Sequence, residues 1–196
     1  MLSATLVQRG GAWAEDAPII CDVPVEACID SPAESDRFSF NVIDNEIVAI
    51  NVLAAPAQGA GFDPVWRVID KLGNPIQDNE CDDFGDAYLG SLRDCGPLPA
   101  SGSPYRVEVR DGSSDATGCY HVHLQRLTEG AVCEPTPVGC DGTAPGTIDP
   151  ALEDDLIRFD FSVTEGEIVA INLGVTVPGT NFDPTWRLLD RTGRPV

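Results

Sequence analysis

The stretch Arg37–Asn51, RFSFNVIDNEIVAIN, decides the fold, because it occurs twice. It returns as RFDFSVTEGEIVAIN at Arg158–Asn172, 121 positions later, with ten of fifteen residues identical. FDPVWRVIDKLGNPI (Phe62–Ile76) returns as FDPTWRLLDRTGRPV (Phe182–Val196), 120 positions later, with eight of fifteen identical. Upstream, Cys21-Asp22 and Ile29-Asp30 reappear as Cys140-Asp141 and Ile148-Asp149, both at an offset of 119. Offsets that drift by one or two describe small loop insertions inside one repeating unit of about 120 residues.

Inside the unit the apolar positions recur at every second residue. Phe38, Phe40 and Val42 do so, as do Val48, Ile50 and Val52, then Trp66 and Val68, Tyr105, Val107 and Val109, and Val122 and Leu124. Period two over short runs describes strands with one face in a core and the other in solvent. Gly73-Asn74-Pro75, Gly96-Pro97 and Asp111-Gly112 mark turns between them. No stretch sustains helical apolar spacing. The expected fold class is all-β: an antiparallel, jelly-roll-like β-sandwich in tandem repeats, the second repeat truncated.

The register sets the expected domains. Residues 1–10 hold SATLVQR (Ser3–Arg9), which lies at nearly the same register as YHVHLQR (Tyr120–Arg126) and reads as a candidate last strand of a preceding repeat. A signal peptide with Ala12-Trp13-Ala14 as its cleavage site competes, but no basic residue precedes its short apolar stretch. Residues 11–29 read as linker, 30–128 as a complete sandwich, 129–148 as linker and 149–196 as the first half of a second sandwich. That half lacks the opposing strands, so self-association through it is expected.

The composition narrows the function. Acidic residues number 32 and basic residues 12, for a formal net charge of −20, and Lys71 is the one lysine. Such a field repels phosphate backbones and excludes nucleic acid as a partner. No apolar run approaches the roughly 18 residues of a membrane-spanning helix. Seven cysteines without a single CxxC pair point to disulfides in an oxidising compartment rather than to zinc. Cys81 with Cys95 is the first candidate pair, then Cys21 with Cys28. Cys133 with Cys140 would repeat that spacing and leave Cys119 free; the rival joins Cys119 to Cys133.

The order of motifs resembles the bacterial pre-peptidase C-terminal domain, a secreted β-sandwich module. The carriers are DRFSFNV (Asp36–Val42), EIVAINV (Glu46–Val52), FDPVWRVIDKLG (Phe62–Gly73), Asp82-Asp83, LPASGSPYRVEV (Leu98–Val109) and TGCYHVHL (Thr117–Leu124). They run in full over residues 30–127 and by half over 149–196. The cysteines depart from the family pattern. The resemblance implies a module of a secreted or surface protein, often appended to an enzyme and rarely catalytic itself.

Catalytic spacings are absent: no HExxH, GxSxG or GxxxxGK[ST] occurs. His121 and His123 share one strand face, the geometry of a two-histidine metal pair, but that face reads as the wet one. Two acidic groups stand out as a candidate calcium site, Asp30, Glu34 and Asp36 at the opening of the repeat and Asp78, Asp82 and Asp83 in a loop. Calcium gathers six to eight oxygens from such loops, and the resemblance implies the same. The bland reading makes them solvated turn aspartates. Trp66 and Trp186, in Phe-Asp-Pro-x-Trp, read as core rather than as stacking platforms.

The functional expectation is therefore a non-catalytic structural or adhesive repeat of a secreted or cell-surface protein. Its expected partners are other repeats of the same protein or an extracellular polymer, protein or polysaccharide. The alternative is an accessory C-terminal module of a secreted peptidase or other hydrolase.

Overall fold

The computed structural model describes residues 6–7, 16–55, 61–77, 81, 92–130, 133, 136–139, 142–148, 157–176, 182 and 184–196. Eleven strands lie among them: β1 (Leu6–Val7), β2 (Ala17–Pro18), β3 (Val25–Ile29), β4 (Ser35–Phe40), β5 (Glu46–Ala54), β6 (Pro64–Ile69), β7 (Arg93–Leu98), β8 (Tyr105–Asp111), β9 (Gly118–Arg126), β10 (Thr136–Pro137) and β11 (Phe159–Asp160). The first sheet runs β1-β3-β9-β5-β7 and the second β2-β4-β8-β6, while β10 and β11 form a separate pair. The long strands pair antiparallel, and the two sheets close as a sandwich.

Alternation sets which residues meet between the sheets. Phe38 and Phe40 on β4 lie beside Val107 and Tyr105 on β8, and Trp66 and Val68 on β6 lie beside Val109 and Val107. From the first sheet Val48, Ile50, Val52, Tyr120, Val122 and Leu124 face them, all fully buried. Phe38 meets Tyr120 edge to face across the gap, with ring centroids 6.3 Å apart. Each large apolar side chain so buried contributes about 1.5–3 kcal/mol. Trp66 is wholly inside, as its strand parity requires.

Three expectations change. Residues 17–29, expected as linker, supply β2 and β3, and β3 is hydrogen-bonded to β9. β5 is not wet on one side: Ile47, Ala49, Asn51 and Leu53 are buried together with Val48, Ile50 and Val52. A strand covered on both faces reads as a near-continuous apolar run, and in EIVAINVLA only Glu46 and Asn51 are polar. In residues 149–196 the described part matches only the start of β4: β11 lies beside β10 in parallel as β4 lies beside β2, and no strands matching β5 and β6 form among the described residues. Beyond β11, it holds a single bridge between Leu189 and Pro195, and Ile168 and Trp186 are 96% and 57% exposed. A strand needs a neighbour to accept its hydrogen bonds, and beyond β11, which pairs with β10, the described residues offer no long one.

The disulfides follow the topology rather than local spacing. Cys81 bonds Cys95, both buried. Cys28 does not bond Cys21; it bonds Cys119, directly opposite on β9. Cys21 bonds Cys133, which replaces the Cys133–Cys140 pair; Cys140 lies outside the described residues. Local cysteine spacing does not set these pairs, because β3 and β9, distant in sequence, are adjacent strands.

Candidate functional site

At the opening of the sandwich the acidic residues do not converge. Glu34 folds back, its Oε2 accepting the backbone N–H of Asp30 and Ser31 at 2.9 and 2.8 Å. Asp36 points inward from β4, and the Tyr120 hydroxyl donates to its Oδ2 at 2.7 Å. Burial raises the Asp36 pKa above the ordinary carboxylate value, and the charges of Glu34 and Asp30 add to that against the Tyr120 hydrogen bond. Burial also pushes the Tyr120 hydroxyl well up. Among the described residues no three His, Cys, Asp or Glu side chains gather to hold a metal ion. Asp78, Asp82 and Asp83 lie outside the described residues. Of Asp30, Glu34 and Asp36, Glu34 is turned to its own loop backbone and Asp36 to Tyr120.

The outer face of the second sheet carries a polar ladder that sequence reading missed. Glu108 on β8 stands opposite Arg37 on β4 and Arg67 on β6. Arg37 Nη2 donates to its Oε1 at 2.8 Å and Arg67 Nε to its Oε2 at 2.7 Å. Burial alone would raise the Glu108 pKa, but the two guanidiniums outweigh it and hold the carboxyl below its usual value. Arg106 binds Asp16. With Lys71, these residues line a shallow hollow of about 370 Å³. Alternating charge at one strand parity was the available signal.

The outer face of the first sheet is a seat. Ile47 and Ala49 on β5 and Leu127 just past β9 form a small apolar platform, on which Leu189 packs. The turn Asp190–Gly193 caps it: the Glu129 N–H donates to the Arg191 carbonyl at 2.9 Å and the Thr128 hydroxyl to the Thr192 carbonyl at 3.1 Å. Arg187 pairs with Asp94 on β7, and Arg158 Nη1 donates to the Arg126 carbonyl at 2.8 Å. Farther along, Asp22 folds over β9: its N–H donates to the Leu124 carbonyl at 2.9 Å and its carboxylate accepts from Gln125. His123, read as wet, is therefore buried there, while His121 is half-buried. The apolar residues at both parities of β5 were the signal for this seat.

No family model and no curated protein matches the chain. Among solved structures, the pre-peptidase C-terminal domain of a collagenase from Bacillus anthracis aligns with a TM-score of 0.39 and 16% identity, over 59% of this chain and all of that one. A periplasmic inhibitor of g-type lysozyme from Aeromonas hydrophila aligns with a TM-score of 0.38 and 11% identity, over 57% of this chain and 95% of its own.

Proposed function

We propose that the chain is a non-catalytic structural and adhesive β-sandwich module of a secreted or cell-surface protein. One observation carries this reading: β5 of the first sheet is buried on both faces, and Leu189 from a later segment of the same chain packs on its outer one. That construction suits a module meant to be stacked upon, with its side chains committed to packing. The three disulfides fit an oxidising compartment. The long hydrogen-bonded strands and the interlocked aromatic core supply the stiffness that a spacer needs.

The test has two arms. In the native source, the protein should fractionate with the medium or the cell surface and carry oxidised cysteines on non-reducing peptide mapping. The purified chain should show no turnover on panels of peptide and glycan substrates. Turnover removed by a single substitution within the chain would replace this reading with an enzymatic one.

A further inference from the structure

The turns Asp70–Gly73 and Asp190–Gly193 are one structure made twice. In the first, Asp70 Oδ1 accepts the N–H of Leu72 and Asn74 at 2.8 and 2.9 Å. In the second, Asp190 Oδ1 accepts those of Thr192 and Arg194 at 2.8 and 3.1 Å. Gly73 and Gly193 each return an N–H to their aspartate carbonyl at 2.9 Å, with φ of +85° and +86°. Bridges Ile69–Pro75 and Leu189–Pro195 close both. Only the surroundings differ. A Cβ on Gly193 would meet Leu127 at 3.0 Å, whereas no described residue lies within 4 Å of one on Gly73. Leu72, at the tip of the first turn, is 77% exposed.

The seated turn is held largely through its backbone, by the Arg191 and Thr192 carbonyls and the close approach of Gly193. Those groups recur as the Lys71 and Leu72 carbonyls and Gly73, whatever the side chains. We propose that Asp70–Gly73 is a docking surface for a second copy of this chain, received on that copy's Ile47, Ala49 and Leu127 platform as Asp190–Gly193 is received within the chain. The proposal rests on the structural-module reading and names its partner.

Two contacts change in the transfer. Ile69 is buried in its own sandwich, so the apolar contact passes to Leu72. Arg67 is held by Glu108, so the attraction toward Asp94 passes to Lys71, whose ammonium makes no ion pair with another described residue. The contact is heterologous, turn to platform, and extends head to tail instead of closing a dimer. In the native chain the tethered turn competes at an effective concentration in the millimolar range. The second copy therefore binds only where the platform has been opened.

The test opens it. Full-length chain with Leu189→Asp and Arg187→Ala, and a photo-crosslinking amino acid at position 72, is mixed as light- and heavy-isotope preparations and irradiated. Inter-copy cross-links should map to peptides holding Ile47, Ala49, Asp94 or Leu127, roughly tenfold above the same probe in otherwise native chain. Their absence, or cross-links confined to residues 159–186, overturns the proposal. Should the double variant lose its cooperative melt, Gly193→Ala, whose methyl collides with Leu127, gives the same reading in a milder background. Substrate turnover is measured separately, so failure here leaves the module reading standing.

Discussion

At the scale of single residues, two buried aspartates act in opposite directions. Asp111 closes the loop after β8 by accepting the N–H groups of Asp63, Asp115 and Ala116 at 3.1, 3.1 and 3.2 Å. Burial works to raise its pKa, but these backbone donors outweigh it and hold the carboxyl low. Its stabilisation is thus complete above the unfolded carboxylate pKa and lost as the pH falls through the folded one. Asp111→Ala strands three donors and should cost about 3 kcal/mol in urea unfolding at neutral pH. A loss under about 1 kcal/mol would show that water replaces the carboxylate there. Asp36 is the converse case. Its raised pKa means that the folded state holds the proton more tightly than the unfolded chain, so ionisation costs stability at neutral pH. Asp36→Asn keeps an acceptor for the Tyr120 hydroxyl without a buried charge. It should match or exceed the parent at pH 7, with the difference shrinking as the pH drops. A larger advantage at acid pH than at neutral pH would contradict the assigned shift.

At the scale of elements, most of the sandwich was legible and the exceptions share a cause. Alternation at Phe38 and Phe40, at Trp66 and Val68, and at Tyr120, Val122 and Leu124 marks strands whose inner faces the structure confirms. The turn at Asp70–Gly73 was legible too, because an aspartate cap and a left-handed glycine suffice locally. What could not be read depends on which distant strands become neighbours: the cover over β5, the Arg37–Glu108–Arg67 ladder and the Cys28–Cys119 bond. β3 carries few side chains into the core, and its place beside β9 is fixed by that bond across directly opposed residues. Replacing both cysteines by serine removes a cross-link spanning 91 residues. With Cys21–Cys133 intact, the shorter circuit runs seven residues from Cys21 to Cys28 and fourteen from Cys119 to Cys133. That makes about 3 kcal/mol the expected loss in the chain-entropy model. Hydrogen exchange should show β3 opening ahead of β5 and β9. Uniform opening of all three strands would mean that β3 is held by its ladder alone.

At the scale of the whole molecule, two features oppose each other. The segment Phe159–Trp186 repeats the apolar pattern of β4 and β5 but leaves Ile168 almost wholly exposed, and Phe161, Val169, Ile171, Leu173 and Trp186 well exposed. A row of this kind on a soluble surface recruits another chain. Against it stands the net charge of −20, which holds copies apart over a Debye length of about 10 Å at 0.1 M salt. Which effect wins depends on ionic strength, because salt screens the repulsion and leaves apolar attraction in place. We therefore expect the full chain to self-associate in a concentration-dependent way, more strongly at 0.5 M than at 0.05 M sodium chloride, by light scattering. Val169→Asp with Ile171→Asp should suppress this at every salt concentration without lowering the melting temperature of the sandwich, since neither side chain belongs to its core. Association that weakens with salt would instead point to pairing between charged surfaces, such as the Arg37, Arg67 and Arg106 face of one copy against an acidic face of another. A monodisperse parent at all concentrations would mean that the net repulsion outweighs the exposed row outright.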